Sequence, residues 1–196
     1  MLTLGPDFAI IPAGDKIMTE RCKEKISSSV RQFRLPRYSE IPTVGLYLEQ
    51  TTKYIAEYLD PLQEGCISSS MISNYVKKHL ISSPVKKQYD RDQIAYLFFI
   101  ALAKNVLSLD NIARFIRLQE QTYTRQRAYD YFCDELENIL YHIFGLKPLS
   151  DRIGRDSTDE KVMLRNTIIA ISHKIYLEKC FQVMAEETED TEPERD

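Results

Sequence analysis

Ser70, Ser73, Asn74 and Lys77 recur at i, i+3, i+4 and i+7, so a helix through them gathers all four on one face. Two hydroxyls, a carboxamide and a cation at that spacing suit the edges of base pairs in a DNA major groove. Asn74 is the one residue of the four able to meet adenine through two hydrogen bonds. Lys78, Lys86, Lys87 and Arg91 follow, with Tyr89 among them. They are the groups that backbone phosphates take, supplying affinity without reading sequence. Residues 68–91 hold five cations against one acid. A Ser/Lys-rich helix face that is merely solvated has the same composition, and the face by itself does not separate the two readings.

The elements around these residues are positioned by apolar spacing. Ser68 is placed to cap a helix on which Ile72, Val76 and Leu80 form the opposite, apolar side. Pro84 stops any helix, and Asp90 offers a cap for the next. From Ile94 to Ala103 that next helix carries ten apolar residues in a row (IAYLFFIALA). A bilayer span needs about 20 such residues, so the run predicts the buried centre of a globular core.

With these pieces in order, residues 68–112 resemble the winged helix-turn-helix of MerR-type regulators. His79-Leu80-Ile81 and Pro84 fall on the "GL-x-P" that follows the family's recognition helix. Lys87-Gln88-Tyr89-Asp90 falls on the "R-x-Y-D" that ends its wing, and 107–112 (LSLDNI) on "GFSL-x-x-I". The span from Leu35-Pro36-Arg37-Tyr38 to Leu146-Lys147-Pro148 is also similar to a bacterial family of unknown function whose members are taken to be regulators. The resemblance implies a mostly α fold: a MerR-like winged helix-turn-helix with a C-terminal helical region, and little or no β beyond a short wing. It implies sequence-specific binding of double-stranded DNA in transcription regulation, and pairing of two copies through C-terminal helices. Base contacts would then fall to Ser70, Ser73, Asn74 and Lys77, and phosphate contacts to Lys78, Lys86, Lys87, Tyr89 and Arg91. Ser73 stands where that pattern carries an arginine, and the wing is short. A non-enzymatic interaction module that keeps the fold without binding DNA is therefore the alternative.

Composition fits a soluble helical protein. Of 196 residues, 43% are hydrophobic and 28% charged, and there are only six glycines. The net charge of −3 hides an uneven distribution. Residues 186–196 hold seven acids and one arginine, which leaves the remainder mildly basic. Cys22, Cys66, Cys133 and Cys180 lie more than forty residues apart, without a Cys-x-x-Cys pair, and are expected as buried, reduced thiols in the cytoplasm. No signal peptide or transmembrane run is apparent. His79, His142 and His173 stand alone, without spacing for a metal. No phosphate-binding glycine loop, nucleophile elbow or carboxylate pair is present either, so neither catalysis nor a cofactor is expected. Twelve tyrosines alone support a third class, a small-molecule pocket, and they name no effector.

In chain order, residues 1–18 lack periodicity and are expected as a flexible arm. Residues 19–118 form the expected DNA-binding region with a preceding helix. That first helix carries Cys22, Ile26, Val30 and Phe33 and ends by Pro36. A supporting helix runs from Leu46 to Leu59, with Tyr47, Thr51, Tyr54, Ile55 and Tyr58 on its inner face. Residues 119–185 form the C-terminal helical region, with one helix from Thr124 to Phe144 ahead of Gly145 and another from a Ser157/Glu160 capping box to Met184. Val162, Ile168, Ile169, Ile171, Ile175, Leu177 and Phe181 make that last helix apolar on more than one side. Residues 186–196 are expected as a disordered acidic tail.

Overall fold

The ten-residue apolar run shapes the molecule, because a helix apolar on every side must be enclosed. In the computed structural model, which describes residues 19–63, 67–150 and 158–189, it lies in Arg91–Ala103, here α4. Asp90 caps α4 by accepting from the Gln93 backbone N–H (2.9 Å), while the Gln93 side chain accepts from the Asp90 N–H (2.9 Å). Of the ten apolar residues all but Tyr96 are buried. Around α4 stand α1 (Glu20–Ser29), α2 (Leu48–Leu59), α3 (Ser69–Lys77), α5 (Leu109–Thr122), α6 (Arg125–Ile143) and α7 (Asp159–Glu189). The Tyr54 and Tyr58 rings of α2 meet Phe98 edge-on at 6.0 and 5.9 Å. Phe99 meets Phe115 of α5 at 5.6 Å and Phe132 of α6 at 5.4 Å. One apolar cluster runs from Cys22 to Val183. Among the described residues no helix is long and apolar enough to cross a membrane.

Hydroxyl caps set the helix starts: Thr19, Ser68, Ser108 and Thr124 each accept the N–H three residues on. Among the described residues the one sheet is a two-stranded antiparallel ribbon of β1 (Leu46–Tyr47) and β2 (Gln88–Tyr89), with Leu46 opposite Tyr89. A helix start at Leu46 is thereby corrected to Leu48, since Leu46 and Tyr47 pair with β2 and the Gln50 side chain takes the Tyr47 N–H at 3.0 Å. Tyr47 is exposed. The first helix ends at Ser29, short of Pro36, although Val30 and Phe33 are still buried beyond it. The chain beyond that helix is held by Arg37, which bridges to Glu137 of α6 (2.6 and 2.8 Å) and to Asp134 (2.8 Å). The Tyr141 hydroxyl donates to the Phe33 carbonyl.

The C-terminal half departs from expectation in three places. The division at 118/119 falls inside α5, which continues to Thr122. α7 runs on through the first residues of the expected tail to Glu189, where α1 holds it: the Cys22 thiol donates to Glu187 at 2.9 Å and Lys25 lies 3.9 Å from Glu186. On α7, Ile168, Ile171 and Ile175 are buried, but Val162, Leu177 and Phe181 are 49%, 53% and 64% exposed. Residues 1–18, Cys66, Ser157 and 190–196 lie outside the described residues; Cys22, Cys133 and Cys180 are free and buried.

Between α6 and α7 lies Glu135, wholly buried, with Arg165 Nε 3.3 Å from its carboxylate. Burial raises its pKa above the ordinary 4.5, and the arginine opposes that only in part. The folded chain therefore binds more protons than the unfolded one just above that value. Stability falls as pH rises through this window and stays lower beyond it. Glu135→Gln keeps the shape and cannot ionise. It is expected to melt above the wild type at pH 8, with the gap closing toward pH 4. Equal melting points at both pH values would contradict this account.

Candidate nucleic-acid interface

α3 is short and firmly seated. Ser68 Oγ accepts from Met71 N at 3.2 Å, and Ile72 and Tyr75 are buried with Val76 half-buried beside them. At the other end Leu80 N donates to the Tyr75 carbonyl (2.9 Å) and His79 N to the Val76 carbonyl (3.0 Å). These bonds form a Schellman turn with His79 at φ 56°. A left-handed residue at this place is one that glycine ordinarily fills.

Because that side is anchored, the other faces water. Ser70, Ser73, Asn74 and Lys77 are all exposed, and so is Lys78 at the C-cap. Ser73 Oγ donates to the Ser69 carbonyl (2.9 Å) and Ser70 Oγ lies 2.9 Å from Ser68 Oγ, so both hydroxyls are engaged locally and keep acceptor capacity. Asn74, Lys77 and Lys78 have no side-chain partner among the described residues.

The ribbon tip supplies two more cations. Val85 bridges to Gln88, whose N–H donates back to the Val85 carbonyl at 2.9 Å. Between them Lys86 and Lys87 sit at φ 50° and 64°, the pattern of a type I′ turn. That turn ordinarily takes Asn-Gly, and each side chain forced into it costs roughly 1–2 kcal/mol. Both lysines are exposed and, among the described residues, without an acidic partner. At the base of the ribbon a Cβ on Gly45 would come within 2.8 Å of Gln88 Cβ, so β1 approaches β2 through a position without a side chain.

Two of the expected phosphate contacts are committed elsewhere. Tyr89 is 4% exposed, and burial raises its phenol pKa, so it packs on the core side of β2. Arg91 Nε donates to the Ile41 carbonyl (2.9 Å) and its guanidinium lies 5.3 Å from the Tyr38 ring, pinning the 38–41 turn. Of the expected contacts, Ser70, Ser73, Asn74, Lys77 and Lys78 on α3 and Lys86 and Lys87 on the ribbon remain exposed. Both elements pack on α2. Sequence reasoning missed β1 and with it the exposed Val44, Tyr47 and Val85 (72%, 53% and 73%) around the ribbon. Gly45 was the available signal for a close strand approach.

Lys86→Asn with Lys87→Gly replaces a strained turn by one that fits. The double variant is expected to gain about 1–2 kcal/mol, a rise of several degrees in melting temperature by calorimetry. An unchanged or lower melting point would show that the lysines sit there without strain.

No curated protein and no solved structure matches the chain. One family model does, from Pro36 to Phe132, a span that contains α2, the ribbon, α3, α4 and α5 and stops inside α6. Residues 36–132 match the model of DUF1836, a domain of unknown function.

Proposed function

We propose that the α3 face and the ribbon tip bind double-stranded DNA sequence-specifically, as the reading elements of a MerR-like winged helix-turn-helix in a cytoplasmic transcriptional regulator. The observation that carries this reading is the state of five side chains. Asn74, Lys77, Lys78, Lys86 and Lys87 are exposed and unpartnered among the described residues, on elements whose other faces are locked into the core. Asn74, Ser70, Ser73 and Lys77 read bases; Lys78, Lys86 and Lys87 hold phosphates. The strained lysine turn supports the same reading, since strain retained at a surface tip points to a use for the side chains held there. No enzymatic step is invoked.

Double-stranded operators call for two reading helices, and α7 offers the surface that would bring them together. Met163, Leu177 and Phe181 lie exposed along it with Ala170 and His173 between them. Antiparallel pairing of this stripe with a second copy buries it about a two-fold axis. Equilibrium sedimentation is expected to give a dimer that Leu177→Glu with Phe181→Glu returns to monomer. A strict wild-type monomer at tens of micromolar removes the pairing.

The rival reading, a protein-interaction module on the same fold, draws on Val44, Tyr47 and Val85, three apolar side chains left in water beside the cations. Selection of bound fragments from random DNA at several salt concentrations decides between them. The DNA reading expects an enriched site whose affinity falls steeply with salt. Lys86→Ala with Lys87→Ala weakens binding and flattens the log–log salt slope by about 2 units. The Asn-Gly turn variant binds as weakly while being the more stable protein. Without enrichment or salt-dependent binding at low salt, the interaction module takes its place.

A further inference from the structure

Gln93 is 4% exposed, and its side-chain amide is engaged at both ends. Its Oε1 accepts from the Asp90 N–H at 2.9 Å, one residue beyond β2. Its Nε2 donates to the Ser82 carbonyl at 2.7 Å and to the Ser82 hydroxyl at 3.1 Å, two residues beyond the turn that ends α3. One buried side chain therefore joins the exit of α3 to the exit of the ribbon. The capping box of α4 needs only the bond to Asp90. The two bonds to Ser82 serve another purpose.

Ser82 lies on the stretch that carries the chain from α3 to the lysine turn. Leu80 and Ile81 are buried at its start and Tyr89 at its end. Between them Ser82, Ser83 and Val85 are exposed, and Pro84 has no N–H to give. Among the described residues, the two bonds from Gln93 are the only hydrogen bonds that hold residues 81–84. Apolar packing on α2 seats α3 and the ribbon, but burial is non-directional. Hydrogen bonds to fixed partners have direction, and a directional bond is what sets one element against another.

We propose that Gln93 is a positioning residue for DNA binding: by holding Ser82 it sets the register of the α3 face against Lys86 and Lys87, so that both meet one duplex together. This inference rests on the DNA reading given above. Phosphate contacts place a protein on the duplex and base contacts read it, so the two must be held at a fixed offset. Loosening that offset costs sequence-specific binding. It leaves the general attraction of the lysines for DNA intact, because that depends on charge and not on register.

The test uses the full chain and two variants. Gln93→Glu keeps the acceptor for the Asp90 N–H, and with it the capping box, but loses both donors and sets a carboxylate against the Ser82 carbonyl. Gln93→Met, of similar length, removes all three bonds without adding charge. Melting curves fix a temperature at which both variants are folded. Without DNA, hydrogen exchange over residues 80–89 is expected to be about tenfold faster in both variants, with the middle of α4 unchanged. On a site enriched by the wild type, affinity is expected to fall at least about tenfold, while affinity for an unrelated duplex at the same salt stays within about twofold. That ratio separates positioning from stability, since a variant that is only less stable loses neither affinity while folded. Wild-type exchange over residues 80–89 in both variants, or an undiminished preference for the site, would overturn the assignment. A wild type that enriches no site removes the DNA reading and the positioning role with it; the exchange result, obtained without DNA, then stands for the tether alone.

Discussion

The need to enclose α4 governs this structure. A helix with apolar side chains on every face has no side to give to water, and each large side chain left exposed forfeits roughly 1.5–3 kcal/mol of burial. α2, α5, α6 and α7 accordingly surround it, and rings of α2, α5 and α6 interlock around Phe98 and Phe99. The start of α4 is fixed as firmly as its sides. Gln93 closes the capping box and also donates to the Ser82 carbonyl at 2.7 Å, which ties the chain between α3 and the ribbon to the core. The polar elements of the surface are thus placed by an apolar constraint beneath them.

That placement divides the cations into two groups. Arg37, Arg91 and Arg125 reach acids, carbonyls and rings of their own chain, and guanidinium forks suit such multiple bonds. The cations of α3 and the ribbon tip are all lysines, single charges on flexible stems with nothing of the fold to hold. Those three arginines serve the fold, while the lysines of α3 and the ribbon tip face the solvent. Two of those lysines even strain the backbone that carries them.

Helix periodicity and capping made most of the architecture legible. Ser68, Asp90, Thr124 and Gly145 mark boundaries that the structure repeats to within a residue, because a side-chain cap or a left-handed stop is a local interaction. The four-residue polar face of α3 was legible for the same reason. What the sequence did not disclose depended on distant partners. Leu46 and Tyr47 continue a helical pattern and become a strand only because β2 lies beside them. Arg91 reads as a surface cation until the 38–41 turn folds over it. Tyr89 is equally at home in a core or at a surface, and only the strand register decided. Glu187 falls in what reads as a solvated acidic run, yet the Cys22 thiol takes hold of it.

This last contact joins residues 165 positions apart. α1 precedes α2 to α6 in the chain and packs on α7, which follows them. A nascent chain can assemble α2 to α6 around most of α4 while α1 waits for a partner still to be made. Closing so long a loop costs little more entropy than closing a shorter one, so the pairing is not weak once formed. It is late. Until α7 arrives, the Cys22 and Ile26 side of α1 and the α4 surface that α7 covers remain open to chaperones and to other chains.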